Sequence, residues 1–321
     1  MPPIPRRRAG LLLAALPAPA LSQGGFPDRP IRFLIPWSPG GVLDGFLRLT
    51  FDIAAEELGQ PFVIENRPGA RGTLAASFLV NQARPDGYTL AHHHLSVMRH
   101  PLLTRARSWD PIRDFTYIMR QSGFVFGIVV RADSPWRSLA DLWAAARAAP
   151  ERITYATSGI ATTNHLAMEE LCARENVRME HIVYRGASDA LNALLGRQIH
   201  AIAGSNTWAP AVESGQLRLL VVWTRERLAA FPDVPTLLEL GYGMVVTSPY
   251  GIAGPRGMAP EVVERLHRAL RRAHYHPRVQ DYMRRFDMPD EYLGPAEYLA
   301  WAEEHLQHEQ ALVRRLQLSI D

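Results

Sequence analysis

The chain has 321 residues, 47% of them apolar and 21% charged, which is enough for two domains of ordinary size and excludes a disordered chain. All 35 cationic side chains are arginine, so a lysine Schiff base, a phosphate-loop lysine and a lysine general base are excluded outright. The single cysteine, Cys172, excludes an intrachain disulfide and is expected to serve as buried packing.

Residues 1–20 read as a signal peptide. Arg6, Arg7 and Arg8 form a positive n-region, residues 9–16 are short and apolar, and Ala18-Pro19-Ala20 fits a small-residue cleavage site. The paired arginines also suit twin-arginine export. Removing this segment takes three arginines and no acids from a formal charge of +3, leaving zero. The basic balance is therefore no argument for a nucleic-acid partner, and none is expected. No apolar run reaches the roughly 18 residues that span a bilayer.

From residue 27 onward, short β-branched runs alternate with helical patterns. Strands are expected at 31–35, 62–64 and 88–90. Helices are expected at 44–58, where Leu47, Phe51, Ala54 and Leu58 recur at helical spacing, and at 75–83. The middle repeats the theme, with strands at 126–130, 153–156, 181–184, 199–203 and 217–223. Helices separate them at 139–149, 164–174, 188–195 and 210–214. A Gly/Pro-punctuated stretch, SPYGIAGPRGMAP, then leads to three helices at 260–274, 278–286 and 295–316. The alternation predicts an α/β fold of parallel, doubly wound sheets. Two lobes are expected, residues 27–122 plus 254–321 and residues 123–253. The crossings near 122–130 and 246–254 would form a two-stranded hinge beside a ligand cleft.

Two loops stand out. PWSPGGVLDG, residues 36–45, follows a strand and precedes a helix. Gly40 and Gly41 permit backbone positions that other residues resist, Asp44 is placed to cap the helix, and the free N–H groups make either a plain capped turn or a seat for an anion. The glycine spacing matches neither nucleotide-binding pattern. YATSGIATTNHL, residues 155–166, repeats the strand–loop–helix design with hydroxyls at Thr157, Ser158, Thr162 and Thr163, and with Thr163 or Asn164 as a cap. It too reads as a capped loop or as the opposing half of a carboxylate clamp.

His92, His93 and His94 follow an expected strand. Successive strand residues face opposite ways, so the three cannot share one metal ion, and hydrogen bonding to an anionic ligand is favoured. His305, His308 and Glu309 lie at helical contact spacing on a charged helix and read as a solvated face. Catalytic templates fail: there is no G-x-S-x-G elbow and no H-E-x-x-H, and Ser158 and His165 are two helical turns apart. No metal, cofactor or catalytic residue is expected.

The quoted loops belong to a longer resemblance. FPDRPIRFLIPWSPGGVLDG, LGQPFVIENRPGARGTLAA, PDGYTL, ITYATSGIATTNHLAMEEL, HIVYRGASDALNALLGRQIHA, SGQLRLLVV, FPDVPTLLELGY and GIAGPRGMAPEVVERL resemble, in order, the tripartite tricarboxylate transporter substrate-binding proteins, also called the Bug family. The resemblance covers residues 26–320. It implies a type II periplasmic binding protein, monomeric, that captures a small carboxylate and delivers it to membrane permease subunits. Carried onto this chain, it implies a first grip at Ser38, Pro39, Gly40, Gly41 and Asp44, and a second at Ser158, Gly159, Thr162, Thr163 and His165. Tyr184, Gly186, Ala187, Ser205 and Asn206 would line the cleft further. The chain departs from the family pattern at Trp37, at Val42-Leu43 and at His92–His94, of which His94 is taken as a ligand contact. These departures favour a ligand with an aromatic or apolar body. Two other roles remain open: an orphan ligand sensor feeding a two-component system, and a secreted hydrolase or metal-dependent lyase.

Overall fold

The computed structural model describes residues 25–105 and 108–316. The expected signal peptide lies outside the described residues.

The chain forms, in order, β1 Ile31–Ile35, α1 Val42–Leu58, β2 Phe62–Asn66, α2 Leu74–Asn81, β3 Thr89–His94, α3 Leu95–Leu103, β4 Phe115–Gly123, β5 Phe126–Arg131, α4 Leu139–Ala148, β6 Thr154–Thr157, α5 Thr163–Arg174, β7 Glu180–Val183, α6 Ala187–Leu195, β8 Ala201–Ser205, α7 Ala209–Glu213, β9 Leu217–Val222, β10 Pro249–Pro255, α8 Pro260–His274, α9 Pro277–Arg285 and α10 Pro295–Leu316. Two five-stranded sheets result, ordered β2-β1-β3-β10-β4 and β7-β6-β8-β5-β9.

Each sheet is covered on both faces, which is why β1 is apolar at every position except Arg32, whose guanidinium pairs with Glu65 of the neighbouring β2. On one face of the first sheet, Phe46, Leu47 and Phe51 of α1 pack with Leu266 and Leu270 of α8 and Val279 of α9. On the other face, Ala75 and Leu79 of α2 meet Met98 of α3 and Tyr298 and Ala302 of α10. The second sheet carries Trp143 of α4 and Met168 and Leu171 of α5 on one face, with Cys172 buried among them. Leu194 of α6 and Trp208 pack on the other face. Local signals set the ends. Gly59, at φ 71°, closes α1 by donating its N–H to the Ala55 carbonyl. Ser138 and Asp141 form a capping box that starts α4.

The sheets are mixed rather than wholly parallel. β1 pairs in parallel with β2 and β3, and β6 with β7 and β8. β10 runs antiparallel between β3 and β4, and β5 antiparallel between β8 and β9. The exceptions are the strands on which the chain enters one sheet from the other, so they arrive without a covering crossover helix. The two passages lie side by side, where the Phe124 N–H donates to the Ser248 carbonyl at 3.0 Å.

Hydrophobic periodicity assigns nothing to residues 95–121, yet α3 and β4 form there. Both are buried on more than one side, which erases alternation, and α3 contains Pro101. β3 also extends through all three histidines instead of ending before them.

Candidate functional site

The residues following β1 and β6 face each other across the gap between the sheets. In the first loop, Asp44 sits inside α1 and does not cap it. The N-cap is Gly41, with no side-chain cap bond. The Asp44 carboxylate instead accepts from the Gly40 N–H at 3.2 Å, Arg48 Nε at 3.0 Å and Asn66 Nδ2 at 2.9 Å. Burial alone would raise this carboxyl, but the hydrogen bonds from Arg48, Asn66 and Gly40 outweigh it and hold it below the ordinary carboxylate range. Asn66 also donates to the Trp37 carbonyl at 3.1 Å. The Trp37 ring packs on His94 at 5.1 Å between centroids, and its buried indole N–H has no acceptor among the described residues.

His94 Nε2 lies 3.1 Å from the Gly72 carbonyl. A carbonyl only accepts, so Nε2 carries the proton and Nδ1 keeps its lone pair. Burial pushes this imidazole down to about 4, so it is neutral near pH 7. His92 lies on the same face as His94 with both ring nitrogens unpartnered, and His93 faces the opposite core. The strand alternation that separates the three is observed.

In the second loop, Thr157 and Thr162 hydroxyls both donate to the Gly159 carbonyl, at 3.2 and 2.7 Å. The cap of α5 is Thr162 rather than Thr163 or Asn164, and it too makes no side-chain cap bond. Thr163 meets the Ser248 hydroxyl at 3.3 Å, and Asn164 turns inward to the Ala203 carbonyl at 2.7 Å.

Between the loops lies a cavity of about 50 Å³, room for a few waters at about 10–15 Å³ each. It is lined by Trp37, Ser38, Gly41, Leu43, Asp44, His94, Ser158, Thr162, Thr163 and Ala187. Ile35, Ser96, Phe124, Phe126, Asn164, Ser205, Thr207 and Ser248 complete the wall. The N-terminal turns of four helices, α1, α3, α5 and α6, contribute to this lining, and none has a side-chain cap bond. First-turn N–H groups have no acceptor within their own helix, and each helix brings its positive end to the cavity, worth about 0.3–1 kcal/mol apiece for an anion. No arginine lines the cavity. Its polar wall is hydroxyls, amides, a neutral imidazole and the Asp44 carboxylate, whose charge is taken up by Arg48 and Asn66, and its apolar wall is Ile35, Trp37, Leu43, Phe124, Phe126 and the small Ala187.

The lobes touch around this cavity. Ser38 Oγ donates to Asp189 at 2.6 Å, Ser188 Oγ to the Pro39 carbonyl at 2.9 Å, and the Val42 N–H to Thr207 Oγ1 at 3.3 Å.

Several residues that the sequence points to stand outside the lining. Pro39 and Gly40 face an outer groove beside Ser188, because the Asp44 network turns the Gly40 N–H inward on itself. Gly159 lies against Arg71. His165 accepts from the Ala161 N–H at 3.1 Å and packs its tilted ring on His181, so it braces the loop from behind. Gly186 backs onto Ser38, where a Cβ would meet the Ser38 nitrogen at 2.9 Å. Tyr184 is not in the wall, and Asn206 donates to the Phe286 carbonyl at 2.6 Å. Sequence reasoning missed Ser96, Thr207 and Ser248. Each sits one to three residues beyond a strand end or just before one, and that position was the available signal. The expected solvated face at Glu309 is also overturned. Glu309 is 3% exposed and bound to Arg99, because helical spacing cannot reveal a partner 210 positions away.

A family model described as tripartite tricarboxylate transporter family receptor matches residues 46–318. The UPF0065 protein in the gbd 5′ region of Cupriavidus necator is 43% identical over 97% of this chain and 94% of its own length. Among solved structures, periplasmic binding protein BugD superposes with a TM-score of 0.87 at 26% identity, covering 92% of this chain and all but 1% of BugD. MatC from Rhodopseudomonas palustris with bound malate gives 0.83 at 26% identity, covering 90% of this chain and 100% of MatC. A further R. palustris protein with adipate gives 0.84 at 25% identity, covering 92% and 99%. With its two α/β lobes and a family match over most of its length, the chain belongs to the tripartite tricarboxylate transporter receptor family, whose members are periplasmic binding proteins that hold a solute and do not transform it.

Proposed function

We propose that this chain captures a small carboxylate in the cavity between its lobes and delivers it to the permease subunits of a tripartite tricarboxylate-type transporter, working in the periplasm as a monomer. The observation that carries the reading is the meeting of four helix N-termini on one cavity without a cationic side chain. Such a site attracts an anion through peptide dipoles and amide hydrogens. MatC with malate and the neighbour with adipate support the same class of solute.

Residues proposed to touch the solute are Trp37, Ser38, Gly41, His94, Ser158, Thr162, Thr163 and Ala187, with the α1 backbone at Asp44. The five large apolar lining side chains, Ile35, Trp37, Leu43, Phe124 and Phe126, favour a solute with an apolar body over a tricarboxylate. An aromatic ring fits only if the lobes part further than a cavity of about 50 Å³ allows. The proposed lobes are residues 27–122 plus 254–321 and residues 123–253, hinged where Phe124 pairs with Ser248. Thermal-shift titration with malate, adipate, benzoate and citrate tests the reading. A true solute raises the melting temperature with concentration because it binds only the folded form. Tight binding of citrate without the others would sink the apolar-body assignment, and no shift with any carboxylate would sink the reading itself.

A further inference from the structure

Arg99 of α3 and Glu309 of α10 lie outside the cavity wall and have no part in the reading above. Arg99 is 1% exposed. The pair is bidentate, with Nε to Oε2 at 2.6 Å and Nη2 to Oε1 at 3.0 Å. A buried ion pair gains little net stability over apolar groups of similar size, so stability alone is a poor account of this one.

The third donor of Arg99 supplies another. Nη1 donates to the Ala161 carbonyl at 2.8 Å, and Ala161 belongs to the opposite lobe. It sits in the short loop between Ser158 and Thr162, two residues of the cavity wall. Its side chain packs with Leu103 of α3 and Val313 of α10, a small apolar cluster that bridges the lobes. Its φ of 59° lies in the left-handed region, which a non-glycine residue holds only where its surroundings impose it. Arg315 of α10 adds an outer cross-lobe pair with Glu170 of α5 at 3.7 Å.

We propose that Arg99 is a positioning residue for solute retention: anchored by Glu309 on the C-terminal helix, it grips the Ala161 carbonyl and holds the second-lobe loop closed over the solute. This rests on the cavity being the solute site. Arg99 touches no solute. It acts on the loop, and α10 thereby registers whether the lobes are together.

The test compares wild type with the double variant Arg99→Met/Glu309→Met, which leaves no charge buried alone. Dissociation of adipate and of malate is followed by stopped flow. The melting temperature and the radius of gyration by small-angle scattering are measured without solute. Losing a charge-assisted hydrogen bond of this kind is expected to speed dissociation by about tenfold or more and to enlarge the unliganded radius of gyration, while the unliganded melting temperature changes little. Unchanged dissociation and an unchanged radius in a folded variant overturn the proposal. If the double variant does not fold, Arg99→Lys keeps a cation beside Glu309 but loses the planar fork. It is expected to speed dissociation as well, and unchanged dissociation there overturns the proposal too. A wild type that binds neither acid overturns the cavity reading instead, and the scattering comparison still decides the latch.

Discussion

The two jaws are built from the same strand–loop–helix plan but are braced differently. The first loop carries a brace within its own lobe, since Asp44 gathers Gly40, Arg48 and Asn66 into one network, and it also meets the other lobe through Ser38, Pro39 and Val42. The second loop is braced partly by its own hydroxyls, Thr157 and Thr162 on the Gly159 carbonyl, and partly from across the cleft by Arg99 and Leu103. The Asp44 network of the first jaw is therefore complete whether or not the lobes meet. The Arg99 hold on the second jaw, by contrast, exists only while the lobes meet.

Acid separates the jaws most strongly. His94 in the first lobe and His181 in the second are both pushed down to about 4, by burial first, with the neighbouring His165 adding to the shift at His181. Because each folded-state value lies below the ordinary 6.5, the unfolded chain takes up protons that the folded one refuses as pH falls from 6.5 to 4. Stability is thus lost across that window and not above it. The fully enclosed His94 is expected to contribute on the order of 3 kcal/mol, and the half-buried His181 less. Urea unfolding at pH 7 and pH 5 should show His94→Gln flattening the pH dependence more than His181→Gln. The opposite order would break the contrast.

Next in size is Gly186→Val. Its Cβ would press on the Ser38 backbone nitrogen at 2.9 Å from the other lobe, so it obstructs closure without touching either core. Solute affinity should fall by about 5–150-fold, the equivalent of about 1–3 kcal/mol of overpacking, as read by calorimetry, with the melting temperature of the unliganded protein preserved.

Asp44→Asn removes the charge at the centre of the first jaw. It should cost about 2 kcal/mol of stability at pH 7. In wild type that contribution should fade only as pH drops below the ordinary aspartate value of 3.8, because the folded-state value is depressed. Thr162→Val, the corresponding brace of the second jaw, should cost about 1 kcal/mol or less. Equal losses would remove the distinction. An effect of similar size is expected from Gly41→Val, whose Cβ meets only the movable Thr207 hydroxyl at 3.2 Å. It should weaken the solute-induced thermal shift by about 1 kcal/mol.

Sequence reading recovers the elements in which one face is apolar and the other is not. Leu47, Phe51, Ala54 and Leu58 place α1, and α8 and α10 begin and end where their patterns do. It fails where burial is all-round, as at α3 and β4, and where a polar residue spends its hydrogen bonds on a distant partner. Asp44 looks like a helix cap from spacing, yet the chain makes Gly41 the cap and uses the carboxylate to tie Arg48 and Asn66. His165 looks like a ligand contact and serves as a support. Glu309 looks solvated and is buried against Arg99. The loops that build the cavity are legible, but the division between lining and bracing residues is not, because it is decided by which side of a loop the closing lobe covers.

A wall without cationic side chains has a further meaning. Dissolved ions weaken attraction between exposed charges beyond about 10 Å at 0.1 M, but they cannot enter a shut pocket whose pull comes from peptide groups a few ångströms away. A receptor made this way should hold its cargo about as firmly in brine as in dilute buffer, a steadiness that arginine teeth at the rim would forfeit.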